Sequence, residues 1–283
     1  LVANPVQGEA IILAKDLQIE ASPGVEERER GIFRVPVYAS FVTMTGSFER
    51  ADLTWLPAAA SLDWNRARLA VGIADVRGLS GSVGLTFGAS EGFAFQPGTG
   101  IDTLPTGVQT AVALGEGTTS FSLSFRLRGT GRLSLVPTAE TFAAHLQSGW
   151  PHPSFDGAYL PEERKVGAGG FDATWRISHL ARSLPQSWDN AGSAVSPYAS
   201  AFGVTFFQPV DFYQLVERSL KYAILFIGLS FLVFFLAETI TGARIHVVQY
   251  LLAGAAQVIF YLLLLALAEQ VGFTPAYLAA SGA

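Results

Sequence analysis

The sequence predicts a mainly β extracytoplasmic domain, an antiparallel sandwich or barrel-like fold, followed by a transmembrane α-helical hairpin. Three observations carry this expectation. Two apolar runs, YAILFIGLSFLVFFLAETI (222–240) and VVQYLLAGAAQVIFYLLLLALA (247–268), each reach the roughly 20 residues that cross a bilayer's hydrocarbon core as a helix. Ahead of them, from Glu9 to about Ser200, apolar residues recur with period two in short runs broken by Gly, Pro and Ser. Between Tyr222 and Ala268 the only formal charges are Glu238 and Arg244, so apolarity is gathered at one end instead of being spread through a soluble core.

Residues 1–207 hold the predicted β domain. Leu17 and Ile19, the run Phe33 to Met44, and the set Leu69, Val71 and Ile73 read as early strands, with Pro36 marking an edge strand or a bulge. SVGLTFGASEGFAF (82–95) alternates through Val83, Leu85 and Phe87, turns at SEG and returns through Phe93 and Phe95. FSLSFRLR (121–128) puts Phe121, Leu123, Phe125 and Leu127 on one face and Ser122, Ser124, Arg126 and Arg128 on the other, as a strand with one buried face requires. GTG (129–131) then predicts a turn, with RLSLVP (132–137) returning as the second strand of a hairpin. ATWRISHLARSLP (173–185) reads as a strand with Trp175, Ile177 and His179 on one face, 187–200 as a polar loop, and FGVTFF (202–207) as a last strand.

Residues 208–221 predict a juxtamembrane helix, with Phe212, Leu215, Val216 and Ser219 at helical spacing and Glu217 and Lys221 an i, i+4 pair, running into the first span. The six-residue link TGARIH (241–246) forces the two spans of 222–268 to lie antiparallel. Arg244 and His246 in the link, against no Lys or Arg after Ala268, put the link in the cytoplasm and the large domain outside the inner membrane. Arg218 and Lys221 pull the other way, but long domains cross largely regardless of charge. A buried helical pair in a soluble protein is the alternative, disfavoured by so few charges over such length. The chain starts at Leu1 and stops after GFTPAYLAASGA, so both ends are expected to be truncations and 269–283 the start of a third membrane segment.

A net charge of −5 and the absence of any Lys/Arg-rich run argue against nucleic-acid partners. With no cysteine there are no disulfides, thiolate metal sites or cysteine nucleophiles. Candidate chemistry is confined to WPHPSFDGAYLPEER (150–164), where His152, Asp156, Glu162 and Glu163 fall close together and His152 with Glu162 are candidate zinc ligands or an acid/base pair. The spacing matches no zinc motif, Pro151 and Pro153 forbid a helix around His152, and an ordered loop held by Trp150, Phe155 and Tyr159 explains the segment more simply. GAGG (167–170) lacks the strand-then-helix setting of a nucleotide loop. No catalytic residue, metal or cofactor is expected. In the spans, Glu238, Gln249 and Gln257 are the polar residues; Gln257, near the middle of its helix, should face another helix, and Glu238 should reach the interface or Arg244.

RGIFRVPVY (30–38), WPHPSFDGAYLPEER (150–164), ATWRISHLARSLPQ (173–186), FGVTFFQPVDFYQLVERSLKYAILFIGL (202–229) and VVQYLLAGAAQVIFYLLLLALAEQVGF (247–273) together resemble the CreD family of inner-membrane, cell-envelope integrity proteins. The resemblance implies an N-terminal anchor, a large periplasmic domain and further helices. It also implies an envelope role tied to a two-component response and to altered tolerance of colicins and β-lactams, through an envelope protein or cell-wall partner beside the lipid bilayer. It supplies no catalytic residues. A membrane transporter or flippase component, and an envelope hydrolase built on the His152 region, are the competing functions.

Overall fold

The structure, a computed structural model, describes residues 2–5, 9–30, 33–51, 62–182, 184–190, 196–207, 212–242 and 246–282. The chain divides into two compact units, 1–207 and 208–283. The first is built from strands: β1 (Val2–Pro5), β2 (Ala10–Ile12), β3 (Ala14–Arg30), β4 (Phe33–Phe48), β5 (Leu62–Gly72), β6 (Leu79–Phe87), β7 (Ser90–Glu91), β8 (Gln96–Pro97), β9 (Gly107–Val112), β10 (Thr119–Thr130), β11 (Arg132–Leu135), β12 (Ala139–Ser148), β13 (Pro153–Gly157), β14 (Glu163–Gly167), β15 (Gly170–Ser178), β16 (Ser187–Asp189) and β17 (Phe202–Phe206). An eight-stranded sheet runs β14-β15-β12-β3-β4-β10-β6-β7, a six-stranded sheet runs β16-β2-β1-β5-β9-β8, and three strands pair as β11-β17-β13. Every pairing is antiparallel except β12 with β3, where Phe142 lies opposite Leu17 and Ala144 opposite Ile19.

All three sheets turn their alternate residues into one core. Leu17, Ile19, Leu123 and Phe125 from the large sheet meet Leu69 and Val112 from the second and Leu133 and Val204 from the third. Trp175, Phe142 and Phe202 are almost wholly buried, with Phe142 edge-on to Phe202 at 5.8 Å and Trp175 5.4 Å from the same ring. Burying each such ring contributes on the order of 1.5–3 kcal/mol. On β10, Phe121, Leu123 and Phe125 are buried and Leu127 half-buried, while Ser122, Arg126 and Arg128 are exposed.

Several local expectations are corrected. β10 and β11 do not form a hairpin: β10 pairs with β4 and β6, whereas β11 pairs with β17. Gly129 and Thr130 continue β10, and Gly131, at φ 71°, redirects the chain into the small sheet. The turn after β6 falls at Gly88–Ala89, with Phe87 opposite Ser90, so SEG is not the turn and Phe93 and Phe95 pack on the core from outside any strand. β15 ends at Ser178, whose side chain caps a 3-10 turn starting at His179, and His179 is exposed instead of sharing the face of Trp175. Within 187–200, β16 pairs with β2 and buries Trp188.

Pro36 sits where its missing N–H does least harm. The β10 ladder along β4 ends at Val37, and the Pro36 carbonyl on that edge accepts from the Gly131 N–H at 2.9 Å. On the far side, β12 leaves β3 at Ala21. Beyond those ladders, residues 27–30 and 33–36 take only each other as strand partners, as a two-stranded arm carrying exposed Glu27, Arg28 and Glu29.

In the second unit, α1 (Phe212–Thr241) runs unbroken from Phe212 of the predicted juxtamembrane segment into the first span, followed by α2 (Val247–Val271) and the short α3 (Phe273–Ser281); residues 208–211 lie outside the described residues. Its candidate spans, Glu217–Thr241 and Val247–Ala268, are about 37 and 33 Å long at 1.5 Å per residue, enough for a hydrocarbon core of about 30 Å. Ile224, Ile240 and Val247 are at least 76% exposed, so these are not core helices of a soluble domain. Gly272, at φ 83°, separates α2 from α3 and lets Ala276 and Ala280 pack on Leu264 and Ala268. The side chains of residues 212–216 and of Glu269, and residues 243–245 with Arg244, lie outside what is described.

Candidate functional site

α1 and α2 meet along a stripe that combines close packing with polar contacts. On α1 the inward positions are Ala223, Ile227, Ser230, Phe231, Phe234 and Glu238, the i, i+4, i+7 spacing of one helix face. Gly254 on α2 allows the closest approach, because a Cβ there would come within 3.0 Å of the Phe231 ring. Tyr250 packs against Phe231 and Phe234, at ring distances of 6.2 and 5.8 Å.

Two polar pairs bridge this stripe. The Gln257 side-chain amide donates to the Ser230 hydroxyl at 2.6 Å, and Ser230 in turn donates to the Phe226 carbonyl one turn back at 2.8 Å. Nearer the link, the Tyr250 hydroxyl donates to a Glu238 carboxylate oxygen at 3.1 Å. Gln257 thus faces a neighbouring helix, and Glu238 finds Tyr250. Gln249 is exposed on the outer side of α2. Ser230 and Tyr250 were not singled out from sequence; their signal is that each shares a helix face with the polar residue it meets. The Gln257 carbonyl oxygen is buried with no hydrogen-bond partner among the described residues.

The residues around His152 are engaged separately. Glu162 and Glu163 both accept from Arg176, at 3.1 and 3.0 Å, an exposed cluster that raises the guanidinium's pKa above its ordinary value. Asp156 pairs with Arg132 at 2.7 Å and accepts from the Thr205 hydroxyl at 2.5 Å, tying β13 to β17. The His152 side chain is exposed, while its carbonyl accepts from the Trp150 indole and from the Phe207 N–H. Among the described residues no three His, Asp or Glu side chains gather as a metal site. Phe155 meets Trp175 and Phe171 edge-on, and the Tyr159 hydroxyl donates to Ala181, so the segment is held as an ordered loop and strand.

A second polar feature was not singled out from sequence. Arg182 is buried, donates to the Pro137 carbonyl and to Gln186, and its pKa is drawn below the usual guanidinium value by burial. Gln186 donates on to the Leu13 and Ala14 carbonyls. This latch fastens the chain after β15 to the start of β3.

The comparisons with known proteins agree along the chain. A family model described as inner membrane protein CreD matches residues 2–283. Inner membrane protein CreD of Escherichia coli (strain K12) is 37% identical over 272 residues, covering 95% of this chain and 60% of that protein. The chain thus spans 60% of the length of the curated relative it matches. Solved structures of yeast LTA4 hydrolase with bestatin and of Legionella pneumophila aminopeptidase A with aspartic acid align at TM-scores of 0.31 and 0.30 with 10% identity. They cover 72% and 70% of this chain and 30% and 22% of theirs, a similarity too low to carry over fold or activity.

Proposed function

The chain belongs to the CreD inner membrane protein family, and from that membership we propose that it is a non-enzymatic envelope protein whose β unit faces the periplasm and supports cell-envelope integrity under stress. Its place in the inner membrane rests on the family and on the two apolar spans. The observation that carries the reading is the division of labour along the chain. A folded β unit precedes two antiparallel spans whose polar side chains are largely spent on each other. Such a hairpin suits the role of an anchor. The β unit is then the part that meets a protein or cell-wall partner.

The transporter or flippase reading draws on the same polar stripe, because intramembrane ionisable and amide groups are functional suspects. One complementation experiment separates the two. In cells lacking their own copy, the full-length protein should restore normal tolerance of β-lactams and colicins. Glu238→Gln and Gln257→Leu should restore it equally well, whereas a version with the β unit removed and the helices kept should not. If both helix variants accumulate normally and fail to complement, the transport reading displaces this one.

A further inference from the structure

The interior of the β unit is not filled. A cavity of about 780 Å³ lies within the unit, lined by the inward faces of the large sheet (Leu17, Leu123, Phe125) and by Leu69 and Val71 of the second sheet. Protein interiors are packed like organic crystals, with few voids larger than a water molecule, and an apolar void stays dry and costs stability in proportion to its size. This one falls in the range of true ligand pockets, roughly 300–1,000 Å³. A fold that keeps such a space between well-formed sheets has room for an apolar occupant.

Shape and polarity narrow the occupant. The lining follows β10 from Phe121 to Thr130, a length of about 30 Å at the strand rise. That length accommodates an extended hydrocarbon chain. Among the described lining residues three carry charge, Asp75, Arg128 and Arg132, and two of them are already paired: Asp75 with Arg77 at 2.9 Å and Arg132 with Asp156 at 2.7 Å. The third, Arg128, is exposed and alternates onto the outer face of β10 with Ser122 and Arg126. The Tyr38 hydroxyl is packed over Gly129 at the far end of β10, close enough that a Cβ there would collide with it, and has no hydrogen-bond partner among the described residues. An aliphatic channel with an unpaired phenol at one end matches a long acyl chain whose carbonyl head accepts a hydrogen bond. The spans tether this unit to a bilayer, where such chains are the abundant apolar material.

We propose that the β unit binds a long-chain acyl group in this channel, with the acyl head at the Tyr38 end. The site stands on its own geometry, so its failure would leave the envelope reading untouched. The test uses the full chain in phospholipid nanodiscs with two photoreactive probes: a free fatty acid bearing a diazirine on its chain, and a phosphatidylethanolamine bearing the same chain. After irradiation, peptides of β4 and β10 should be labelled as well as those of α1 and α2, which report the surrounding bilayer. Labelling by the free acid alone identifies a fatty acid as occupant, and labelling by the phospholipid identifies a membrane lipid. Met44→Trp and Leu127→Trp place an indole in the channel from half-buried positions and should cut β-strand labelling by about tenfold, because the chain's volume is then taken. Ser122→Trp on the opposite, exposed face should leave it unchanged, and helix labelling should stay constant throughout. Thermal unfolding of the wild-type chain with added oleate guards against misfolded variants, since an occupied site must raise Tm. Labelling confined to α1 and α2, or no rise in Tm with oleate, overturns the proposal.

Discussion

Gln257 on α2 donates its side-chain amide to the Ser230 hydroxyl on α1 at 2.6 Å, near the middle of both candidate spans. In hydrocarbon an unpaired amide has no water to turn to, so this pair ties the helices together as well as satisfying the Gln257 side-chain N–H. Ser230→Ala should therefore destabilise the hairpin by about 0.6–2 kcal/mol, the range of measured interhelical hydrogen bonds. Ser230→Ala with Gln257→Leu should recover most of that loss, because no orphaned polar group remains. Unfolding of the full chain in bicelles, read as a double-mutant cycle, checks it; additive losses would deny the coupling.

The strand faces of β10 make a sharper contrast. Phe125 is 6% exposed in the common core, whereas Ser124 lies on the other face, half-buried against Gly84. Phe125→Ala should cost about 3–5 kcal/mol through lost burial and a cavity that cannot fully collapse. Ser124→Ala should stay within about 0.5 kcal/mol. Chemical denaturation of the full chain, followed by the far-UV signal of the β unit, should separate the two clearly, and equal effects would reverse the assigned faces.

That contrast also marks what sequence reading reaches. Period two reveals which face of a strand is buried, so Phe121, Leu123 and Phe125 were legible. It does not reveal the neighbour, so GTG looked like a hairpin turn although Gly131 sends β11 to β17 instead. Trp188 was lost because a three-residue strand has too few alternations to register. His179 was misplaced because alternation was extended one residue past the point where Ser178 caps a turn. In the spans, Gln257 stood out as an amide in an apolar run. Its partner did not, because a serine in a membrane helix can bond to its own backbone and needs no partner, as Ser230 also does with Phe226.

Tyr38 links the core to pH. Burial raises its pKa above the ordinary phenol value, since the charged phenolate is disfavoured away from water. Its contribution to stability is whole below the unfolded value of about 10 and is lost as pH rises through the higher folded value. Stability of the full chain should therefore fall above about pH 10, and Tyr38→Phe should flatten that fall. Unfolding midpoints of the two proteins across alkaline pH give the comparison; parallel curves would mean that Tyr38 ionises freely.

His152→Ala combined with Glu162→Ala should leave any envelope phenotype intact. Glu162 is exposed and shares Arg176 with Glu163, so its loss should leave stability nearly unchanged, and the His152 ring is exposed. Complementation at matched protein level is the measurement. Loss of phenotype that neither His152→Gln nor Glu162→Gln repairs would revive the hydrolase or metal reading.

The sidedness of the hairpin is open to direct test, because the chain has no cysteine and any introduced thiol reports without background. Ser122 is exposed on the outer face of β10, Thr241 closes α1 at the link, and Gln270 is exposed near the end of α2. If the positive link lies in the cytoplasm, Ser122→Cys should react with a membrane-impermeant maleimide in intact spheroplasts. Thr241→Cys should react only after the membrane is opened. Gln270→Cys should behave like Ser122→Cys, since two antiparallel spans return the chain to the side on which it started. The reverse pattern would put the β unit in the cytoplasm and remove its envelope-facing role. Reaction of all three sites without permeabilisation would mean that neither apolar helix crosses the bilayer.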